Sequence, residues 1–363
     1  MKVLVLGGSG YIGSRLCALL QASGWATPVS GSSRSRASGV ESRQVDTRDA
    51  ASLALALRGI DAVVNCVAGD ARSIADGAGR LAQACRDAGC ERIVHLSSMS
   101  VYGHLEGVVR EEAPLDPTLG WYARAKCEAE SRMAWFAREG GHAVMLRPGC
   151  VWGPGSELWV GRIARFLRSG RLGDLGVAGD GWSNLVHVDD VCQAVINALR
   201  SPFTPAQILT YNLAAPDSPR WNDYFVDLAL AIGATPVRRL GPWQLRLDAY
   251  LAGPPLKVAE KVLSRVGQAG NIVPDPLPPG LLGLWQRHLK LDSRAAERDL
   301  RVRWTPYPQA LHEAVQELRS PRRGRELRRS AADAPGHPSA GPRADAAITH
   351  FSRDESILGG SNG

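Results

Sequence analysis

The segment Gly7-Gly8-Ser9-Gly10-Tyr11-Ile12-Gly13 decides the fold of this chain. It follows a short apolar run at residues 3–6 and opens residues 11–23, in which apolar side chains recur at helical spacing. Gly7, Gly10 and Gly13 allow a tight turn, a close approach of backbone to pyrophosphate, and close packing of helix on strand. The segment therefore predicts a strand, a phosphate-binding turn and a helix whose N-terminus faces a dinucleotide.

Beyond this segment, the first half of the chain alternates short apolar runs with helical patterns, which is typical of parallel βαβ units. The predicted strands lie at about 26–30, 43–45, 62–67, 92–97 and 142–147. The predicted helices lie at about 50–57, 73–88 and 121–139. The fold class is therefore α/β, a Rossmann-type doubly wound parallel sheet.

The pattern changes after Arg147, where glycine and proline become frequent. Residues 185–188, 190–199 and 208–213 predict a strand, a helix and a strand that return to the main sheet. We expect a dinucleotide-binding domain of 1–147 plus about 183–215. We also expect a smaller, discontinuous C-terminal substrate lobe of about 148–182 plus 216–320, and a disordered basic, low-complexity tail at 321–363.

Charge and composition narrow the range of partners. The chain of 363 residues has 43 Lys and Arg against 36 Asp and Glu, a net charge of +7, and residues 319–329 alone contribute six Arg and one Glu. Because no basic stripe with interleaved aromatic residues occurs elsewhere, we expect no nucleic-acid partner. No apolar run reaches the roughly 18 residues of a spanning helix and no signal peptide is recognisable, which favours a cytoplasmic protein without a membrane span.

The seven cysteines lack metal-ligand spacing, so we expect reduced thiols and no metal site.

The choice of cofactor depends on the end of the second strand. An NAD site of this kind usually has a carboxylate about 20 residues after the turn, on the ribose hydroxyls. Residues 1–40 contain no Asp or Glu, and the sequence there reads Ser30-Gly31-Ser32-Ser33-Arg34-Ser35-Arg36. A guanidinium, in particular that of Arg34, forms a charge-assisted fork with a ribose 2′-phosphate. NADP is therefore favoured, with NAD possible, and a solvated loop would leave the preference open.

A catalytic pair is predicted at Tyr122-Ala-Arg-Ala-Lys126. At positions i and i+4 of a helix, the phenol and the ammonium lie on one face. A neighbouring cation lowers the pKa of a tyrosine, as a general acid/base for alcohol and carbonyl interconversion requires. The preceding strand ends in Ser97-Ser98-Met99-Ser100-Val101-Tyr102-Gly103, at the edge where open α/β sheets bind ligands.

Together these motifs resemble the extended short-chain dehydrogenase/reductases, the group of NAD-dependent epimerases and dehydratases and of beta-hydroxysteroid dehydrogenase-like enzymes. The matching features are GGSGYIG, Asp46-Thr-Arg-Asp49, SSMSVYG, YARAK, LRPGCVWGPG and HVDD, in the family's order over roughly residues 1–320. The resemblance implies an NAD(P)-dependent oxidoreductase that acts through a Ser-Tyr-Lys triad. It also implies a homodimer paired through the long helices, one of which carries the tyrosine.

The resemblance assigns roles to individual residues. Ser98, rather than Ser97 or Ser100, is the catalytic serine that would hydrogen-bond the substrate oxygen, Tyr122 would transfer the proton, and Lys126 would hold the ribose hydroxyls. Residues implied to bind the cofactor include the turn residues Tyr11 and Ile12, Asp46 with Thr47 near the adenine, Val67 and Ala68 on the adenosine side, and Pro148 beside the nicotinamide. In HVDD, His187 has a structural role and Asp190 is the expected helix N-cap.

The reaction itself stays open between classes. Sugar-nucleotide relatives carry Arg-x-x-Asn where this chain has Arg147-Pro148-Gly149-Cys150, which favours interconversion of a secondary alcohol and a ketone on a small or lipophilic substrate. Residues 242–263, which are largely apolar, would cover such a substrate or form an ordinary helical hairpin. The alternatives are an NDP-sugar epimerase or dehydratase with the same triad, and a non-catalytic NADP-binding regulator.

Overall fold

A computed structural model gives the fold and describes residues 1–33, 39–252 and 277–319. Arg34, Arg36 and the tail predicted at 321–363 lie outside the described residues.

Eleven strands occur within these described ranges. They are β1 Lys2–Leu6, β2 Thr27–Ser32, β3 Glu41–Gln44, β4 Ala62–Asn65, β5 Arg92–Leu96, β6 Gly107–Val109, β7 His142–Pro148, β8 Cys150–Trp152, β9 Leu185–His187, β10 Gln207–Leu213 and β11 Leu289–Leu291.

The helices in the same ranges are α1 Tyr11–Ser23, α2 Ala50–Ala56, α3 Ala71–Asp87, α4 Trp121–Arg138, α5 Arg162–Arg168, α6 Val188–Arg200, α7 Trp221–Ile232, α8 Pro242–Leu247, α9 Pro279–Trp285, α10 Arg294–Asp299 and α11 Tyr307–Arg319. Short turns of 3₁₀ helix at Met99–Tyr102 and Pro117–Leu119 lie between β5 and α4.

The central sheet has, within the described residues, seven parallel strands in the order β10-β7-β5-β4-β1-β2-β3. β1 pairs with β2 on one side and with β4 on the other, so the order of strands reverses at this point. Ligands of open α/β sheets bind in the crevice outside the carboxyl ends of the strands at such a switch point. The α/β, Rossmann-type prediction is confirmed.

Helices cover both faces of this sheet. Val3 and Val5 of β1 lie in a core with residues of α1 and α6, whereas Leu4 and Leu6 lie in a second core with residues of α2, α3 and α4. Because successive side chains of a strand point to opposite faces, both sets are buried. This explains why the strands appear in the sequence as nearly continuous apolar runs.

Two local predictions after Arg147 are wrong. Residues 185–188 do not return to the main sheet, because Leu185–His187 pairs with Cys150–Trp152 in a separate two-stranded sheet. Asp190 is not a helix N-cap, because α6 begins two residues earlier and His187 is its N-cap, accepting a hydrogen bond from the main-chain N–H of Asp189. The Asp190 carboxylate instead accepts two hydrogen bonds from Thr305.

The chain divides into two compact units. Unit 1 comprises Met1–Trp152, Asn184–Ser218 and Leu289–Tyr307, and unit 2 comprises Gly153–Ser183, Pro219–His288 and Pro308–Gly363. Residues 148–152 and 289–307 lie in unit 1, although both ranges were expected in the substrate lobe.

Unit 2 has its own aromatic core, in which Trp221 packs between Trp159 and Phe225, and Phe225 contacts Trp285. Aromatic and aliphatic side chains at the start of the apolar stretch predicted at 242–263 are exposed, and they are Trp243, Leu247, Tyr250 and Leu251. Residues 253–276 lie outside the described residues. None of the helices in the described parts of the chain is long and apolar enough to cross a membrane.

Candidate active site

The turn after β1 is shaped by glycines. Gly7 has a φ of +77°, and a Cβ there would lie 2.9 Å from the carbonyl oxygen of Cys66. A Cβ on Gly13 would lie 2.3 Å from the carbonyl oxygen of Gly7, closer than real Cβ contacts allow. Both positions therefore require glycine, one for its backbone conformation and one for the close approach of α1 to the turn.

The N-terminus of α1 is open to an anion. Its N-cap is Gly10, no side chain caps the helix, and its first turn carries no acidic residue. The N–H of Gly10 donates to Gly7 O at 2.9 Å, which folds the turn under the helix. Tyr11 and Ile12 begin the helix and are partly buried. The first N–H groups of a helix have no partner within it, so this turn fits a pyrophosphate.

At the end of β2 the structure places serines where an NAD site usually has a carboxylate. Ser30 and Ser32 are buried, and the Oγ of Ser30 lies against Gly8. The nearest acid in the sequence, Glu41, is at the start of β3 opposite Val29 and forms an ion pair with Lys2 at 2.7 Å. Glu41 thus lies at the other end of the strands from the turn.

Asp46 and Thr47 follow β3 at the same edge of the sheet as the turn. Asp46 forms a two-point ion pair with Arg48 at 3.1 and 3.0 Å and also accepts the N–H of Arg48. These hydrogen bonds hold the pKa of Asp46 below its ordinary value. Thr47 lies against Gly77 of α3, where a Cβ would be 3.0 Å from its Oγ1.

The end of β4 is fixed by a buried amide and a buried imidazole. Oδ1 of Asn65 accepts the N–H of Val67 at 3.1 Å, and its Nδ2 lies 3.2 Å from Nδ1 of His95 on β5. Since Oδ1 is used by Val67, the amide donates to Nδ1 and the proton of His95 is on Nε2. Burial lowers the pKa of His95 to about 3, so the ring is neutral. Ala68, one residue further on, is exposed.

Ser98, Tyr122 and Lys126 come together at this edge of the sheet. Ser98 follows β5 and caps the 3₁₀ turn by accepting the N–H of Ser100 at 3.2 Å. Tyr122 and Lys126 lie one turn apart at the start of α4, and the nearby Ser98 acts to lower the pKa of Tyr122. Nζ of Lys126, only 3 % exposed, donates to the carbonyl oxygen of Leu96 at 2.8 Å.

The protonation of this group differs from the expectation. The sequence predicts that Lys126 lowers the pKa of Tyr122, but burial raises that pKa and Ser98 only opposes the rise. Lys126 lies 5.9 Å from the centre of the Tyr122 ring and donates to main chain instead. Burial lowers the pKa of Lys126 to about 8. The phenol is therefore protonated at neutral pH.

The three serines of SSMS differ in access. Ser97 and Ser100 are buried, and within the described residues their hydroxyls have no hydrogen-bond partner. Ser98 is partly exposed and faces Tyr122. Pro148, the last residue of β7, is buried at the same edge of the sheet.

The sequence analysis missed a set of buried polar residues beside this group. Glu130 lies one turn after Lys126 on α4 and pairs with Arg147 of β7, and Tyr102 and Asn212 complete the set. The signal for Glu130 was its spacing, because i+4 from Lys126 places it on the same buried helix face.

The fold and these motifs define an enzyme of the extended short-chain dehydrogenase/reductase type. A family model described as the NAD dependent epimerase/dehydratase family matches residues 3–214. The chain belongs to this family, and the resemblance stated from its motifs is confirmed.

Two curated relatives are reductases. The chain is 32 % identical over 213 residues to a 2-alkyl-3-oxoalkanoate reductase of Stenotrophomonas maltophilia, a match that covers 54 % of this chain and 63 % of that protein. It is 31 % identical over 267 residues to a 3-diazoavenalumate denitrifying reductase of a Streptomyces species, covering 66 % and 84 %.

Solved structures with the same fold include enzymes of sugar nucleotides. A dTDP-glucose 4,6-dehydratase from Streptomyces venezuelae, solved with NAD, is 23 % identical with a TM-score of 0.67 over 89 % of this chain and 98 % of that one. A UDP-glucose 4-epimerase from Thermotoga maritima is 18 % identical with a TM-score of 0.66, covering 88 % and 99 %.

Proposed function

We propose that the protein is an NADP-dependent reductase that converts a ketone on a small or lipophilic substrate into a secondary alcohol. The observation that carries this proposal is the arrangement of three residues at the carboxyl edge of the sheet, where Ser98 follows β5 and Tyr122 and Lys126 lie one turn apart at the start of α4. A phenol that keeps its proton at neutral pH is prepared to donate it to a carbonyl oxygen that gains electrons.

In this proposal, each residue of the site has a distinct role. Ser98 and Tyr122 hold the carbonyl oxygen, and Tyr122 gives it a proton. Lys126 holds the ribose hydroxyls of the cofactor and compensates negative charge left on Tyr122. Gly7, Gly10, Gly13 and the N-terminus of α1 bind the pyrophosphate. When bound, the nicotinamide supplies the reducing equivalent, next to Pro148.

Reduction is favoured over sugar-nucleotide chemistry by two findings. Cys150 stands where sugar-nucleotide relatives carry asparagine, and its side chain is buried. Both reductases named above are curated relatives, one of them acting by its name on 2-alkyl-3-oxoalkanoates.

The choice of NADP rests on the end of β2. Ser30 and Ser32 stand there in place of a carboxylate that would repel a 2′-phosphate. Arg34 follows two residues after Ser32 in the sequence and supplies the cation for that phosphate.

A substrate screen tests the proposed function. The purified protein is given NADPH with an ester of a short 2-alkyl-3-oxoalkanoate, or with UDP-glucose, and absorbance of the reduced cofactor is followed. We expect net oxidation of NADPH with the ester and loss of at least about 100-fold of it in Tyr122→Phe. Tyr211→Phe is the matched control, because Tyr211 is buried in the core on the α6 side of the sheet.

Other outcomes would separate the alternatives. Conversion of the sugar nucleotide in the presence of NAD+ or NADP+, with no net change in reduced cofactor, would indicate an epimerase or dehydratase. Binding of NADPH without turnover of either substrate would indicate a regulator. Undiminished turnover in Tyr122→Phe would exclude the triad.

We also propose a homodimer that forms through α3 and α4. Trp135 of α4, partly buried, lies under the guanidinium of Arg86 of α3 at 6.0 Å, which places an aromatic side chain on the outer side of this helix pair. Light scattering should give twice the chain mass, and Trp135→Glu should give a monomer. A monomeric native protein would refute this arrangement.

A further inference from the structure

A buried ion pair joins Arg147 to Glu130, which lies one helical turn after Lys126 on α4. The guanidinium of Arg147 meets the carboxylate of Glu130 at two points, Nε to Oε1 at 2.9 Å and Nη2 to Oε2 at 2.7 Å. The two side chains are 5 % and 3 % exposed. Although burial acts to lower it, the hydrogen bonds and charge of Glu130 raise the pKa of Arg147. The guanidinium is therefore charged, and the two-point contact holds both side chains in one geometry.

Two further side chains are bonded to this pair. Nη1 of Arg147 donates to the hydroxyl of Tyr102 at 2.8 Å and to the carbonyl oxygen of Glu111 at 2.9 Å. The Tyr102 hydroxyl in turn donates to Oδ1 of Asn212 at 2.6 Å, and the N–H of Asn212 donates to the carboxylate of Glu111 at 2.8 Å. The ring of Tyr102 also lies 5.0 Å under the guanidinium. Hydrogen bonds therefore connect Arg147, Tyr102, Asn212 and Glu111 in a closed ring.

Three members of the set, Glu130, Tyr102 and Arg147, each belong to an element that carries a residue of the proposed site. Glu130 is on α4, one turn after Lys126 and two turns after Tyr122. Tyr102 ends the 3₁₀ turn that Ser98 begins. Arg147 immediately precedes Pro148 at the end of β7.

We propose that Glu130, Arg147 and Tyr102 are positioning residues of the active site, which lock α4, the Ser98 turn and the end of β7 together and set the charge beside Lys126. This inference rests on the proposed function, since it takes Ser98, Tyr122 and Lys126 as the catalytic residues. None of the three positioning residues needs to touch substrate or cofactor to act in this way.

The charge effect has a definite sign. Glu130 is a carboxylate one helical turn from Lys126 and acts to raise the pKa of that ammonium. Its neutral replacement, Glu130→Gln, removes this attraction and leaves the cation of Arg147 uncompensated nearby. Both changes favour the neutral amine, so the pKa of Lys126 falls. Any rate that needs the ammonium form then declines at a lower pH.

Other titratable groups around the pair and Lys126 do not interfere near pH 8. Burial lowers the pKa of His95 to about 3 and raises that of Cys66 to about 12. Burial likewise raises the pKa of Tyr102 to about 12 and that of Cys127 to about 11. Of the remaining neighbours, Glu111 is an acid whose pKa burial raises from its ordinary value, and the Tyr122 pKa is raised as described above.

The first test removes a single hydroxyl. Tyr102→Phe is compared with the native protein and with Tyr211→Phe. Tyr211 is a buried residue of β10 and lies in the core between the sheet and α1 and α6. With the ester and NADPH as substrates, we expect kcat to fall at least about fivefold in Tyr102→Phe because the Ser98 turn loses its attachment to Arg147. We expect the KM for NADPH to change less than twofold, and Tyr211→Phe to keep the native kcat.

The second test changes the charge without changing shape. Glu130→Gln is compared with Glu128→Gln, an exposed residue of the same helix. The alkaline limb of kcat/KM should move to lower pH by at least about half a unit in Glu130→Gln and stay in place in Glu128→Gln. A role in stability alone would lower the melting temperature and leave the limb unmoved.

The results separate this inference from the proposed function. Native kcat in Tyr102→Phe together with a native pH limb in Glu130→Gln would overturn the positioning role, even if Tyr122→Phe is inactive. If Glu130→Gln does not fold, the kcat of Tyr102→Phe decides alone. Full activity of Tyr122→Phe would instead refute the proposed function, and with it the reason for a positioning set.

Discussion

The glycine turn at Gly7–Gly13 and the start of helix α4, with Tyr122 and Lys126, lie at the same edge of one sheet but are built in opposite ways. In the turn at Gly7–Gly13, the absence of side chains lets backbone pack directly on backbone. It also leaves the N-terminus of α1 without a side-chain cap. The region around α4 depends on buried polar side chains, and the charges of Glu130, Arg147 and Lys126 each have a hydrogen-bond partner. One site depends on close approach of the backbone and the other on electrostatics.

This difference determines what a substitution does in each region. An added methyl group should damage the turn and affect any dinucleotide equally. Removal of a charge from the region around α4 should lower the rate while leaving folding nearly intact. Four variants test this contrast, and they are ordered here by expected effect.

Lys126→Met should give the largest effect. It removes the ammonium but keeps most of the unbranched buried side chain, so kcat/KM should fall at least about 100-fold. The free energy of unfolding should not decrease, because a charge is no longer buried. Circular dichroism, thermal melts and the NADPH assay measure both quantities. Arg124→Met, on the exposed side of the same helix, is the control. Retained activity in Lys126→Met would remove it from the triad.

Gly13→Ala tests the turn. Its Cβ would meet the carbonyl oxygen of Gly7 at 2.3 Å, so the turn must shift. We expect affinity for NADPH and NADH to fall by the same factor, about tenfold, with a stability cost of about 1–3 kcal/mol.

Gly24→Ala is the matched control at the other end of α1. Gly24 has a φ of +63° and open space around it, so alanine there is strained by roughly 1–2 kcal/mol without touching the turn. Fluorescence titration should show native cofactor affinity for Gly24→Ala. Equal losses in the two variants would mean that stability, not the shape of the turn, controls binding.

Arg34→Ala tests the proposed contact between this guanidinium and the 2′-phosphate of NADPH. A charge-assisted hydrogen bond contributes at least about 1.5 kcal/mol, so affinity for NADPH should fall by roughly tenfold. Affinity for NADH should be unchanged, in contrast to the uniform loss expected for Gly13→Ala. The same factor for both cofactors would refute the 2′-phosphate contact.

Deletion of 321–363 should have the smallest effect. The segment begins two residues after the end of α11, and its composition predicts no packed core. We expect kcat and KM within about twofold of the full chain. A truncated protein without activity would show that the tail acts in catalysis.

Much of the fold was predictable because its signals are local. Helix α1 has the predicted bounds, and the strands at 92–97 and 142–147 lie within one residue of β5 and β7. In each case, apolar residues at one period are bounded by glycine or by polar residues. The glycine turn was visible because its residues are contiguous.

The remaining features depend on pairings that a single sequence does not display. Leu185–His187 has the composition of a strand, but its pairing with β8 follows from the path of the chain after Pro148. The contact between Glu130 and Arg147 joins residues 17 apart, and that between Tyr102 and Asn212 joins residues 110 apart. Such polar partners are determined by tertiary packing, not by local pattern.

The return of Leu289–Tyr307 to unit 1 has a consequence for the growing chain. Nδ2 of Asn184 donates to the carbonyl oxygen of Leu289 at 2.8 Å, and Asp190 at the start of α6 takes its hydrogen bonds from Thr305. During synthesis, these buried groups have no hydrogen-bond partner until more than 100 further residues have been added to the chain. Unit 1 therefore completes its folding only after the segments of unit 2 that precede Leu289 have been synthesised. Unit 1 is thus the first part of the chain to be made, but its last hydrogen bonds form late in synthesis.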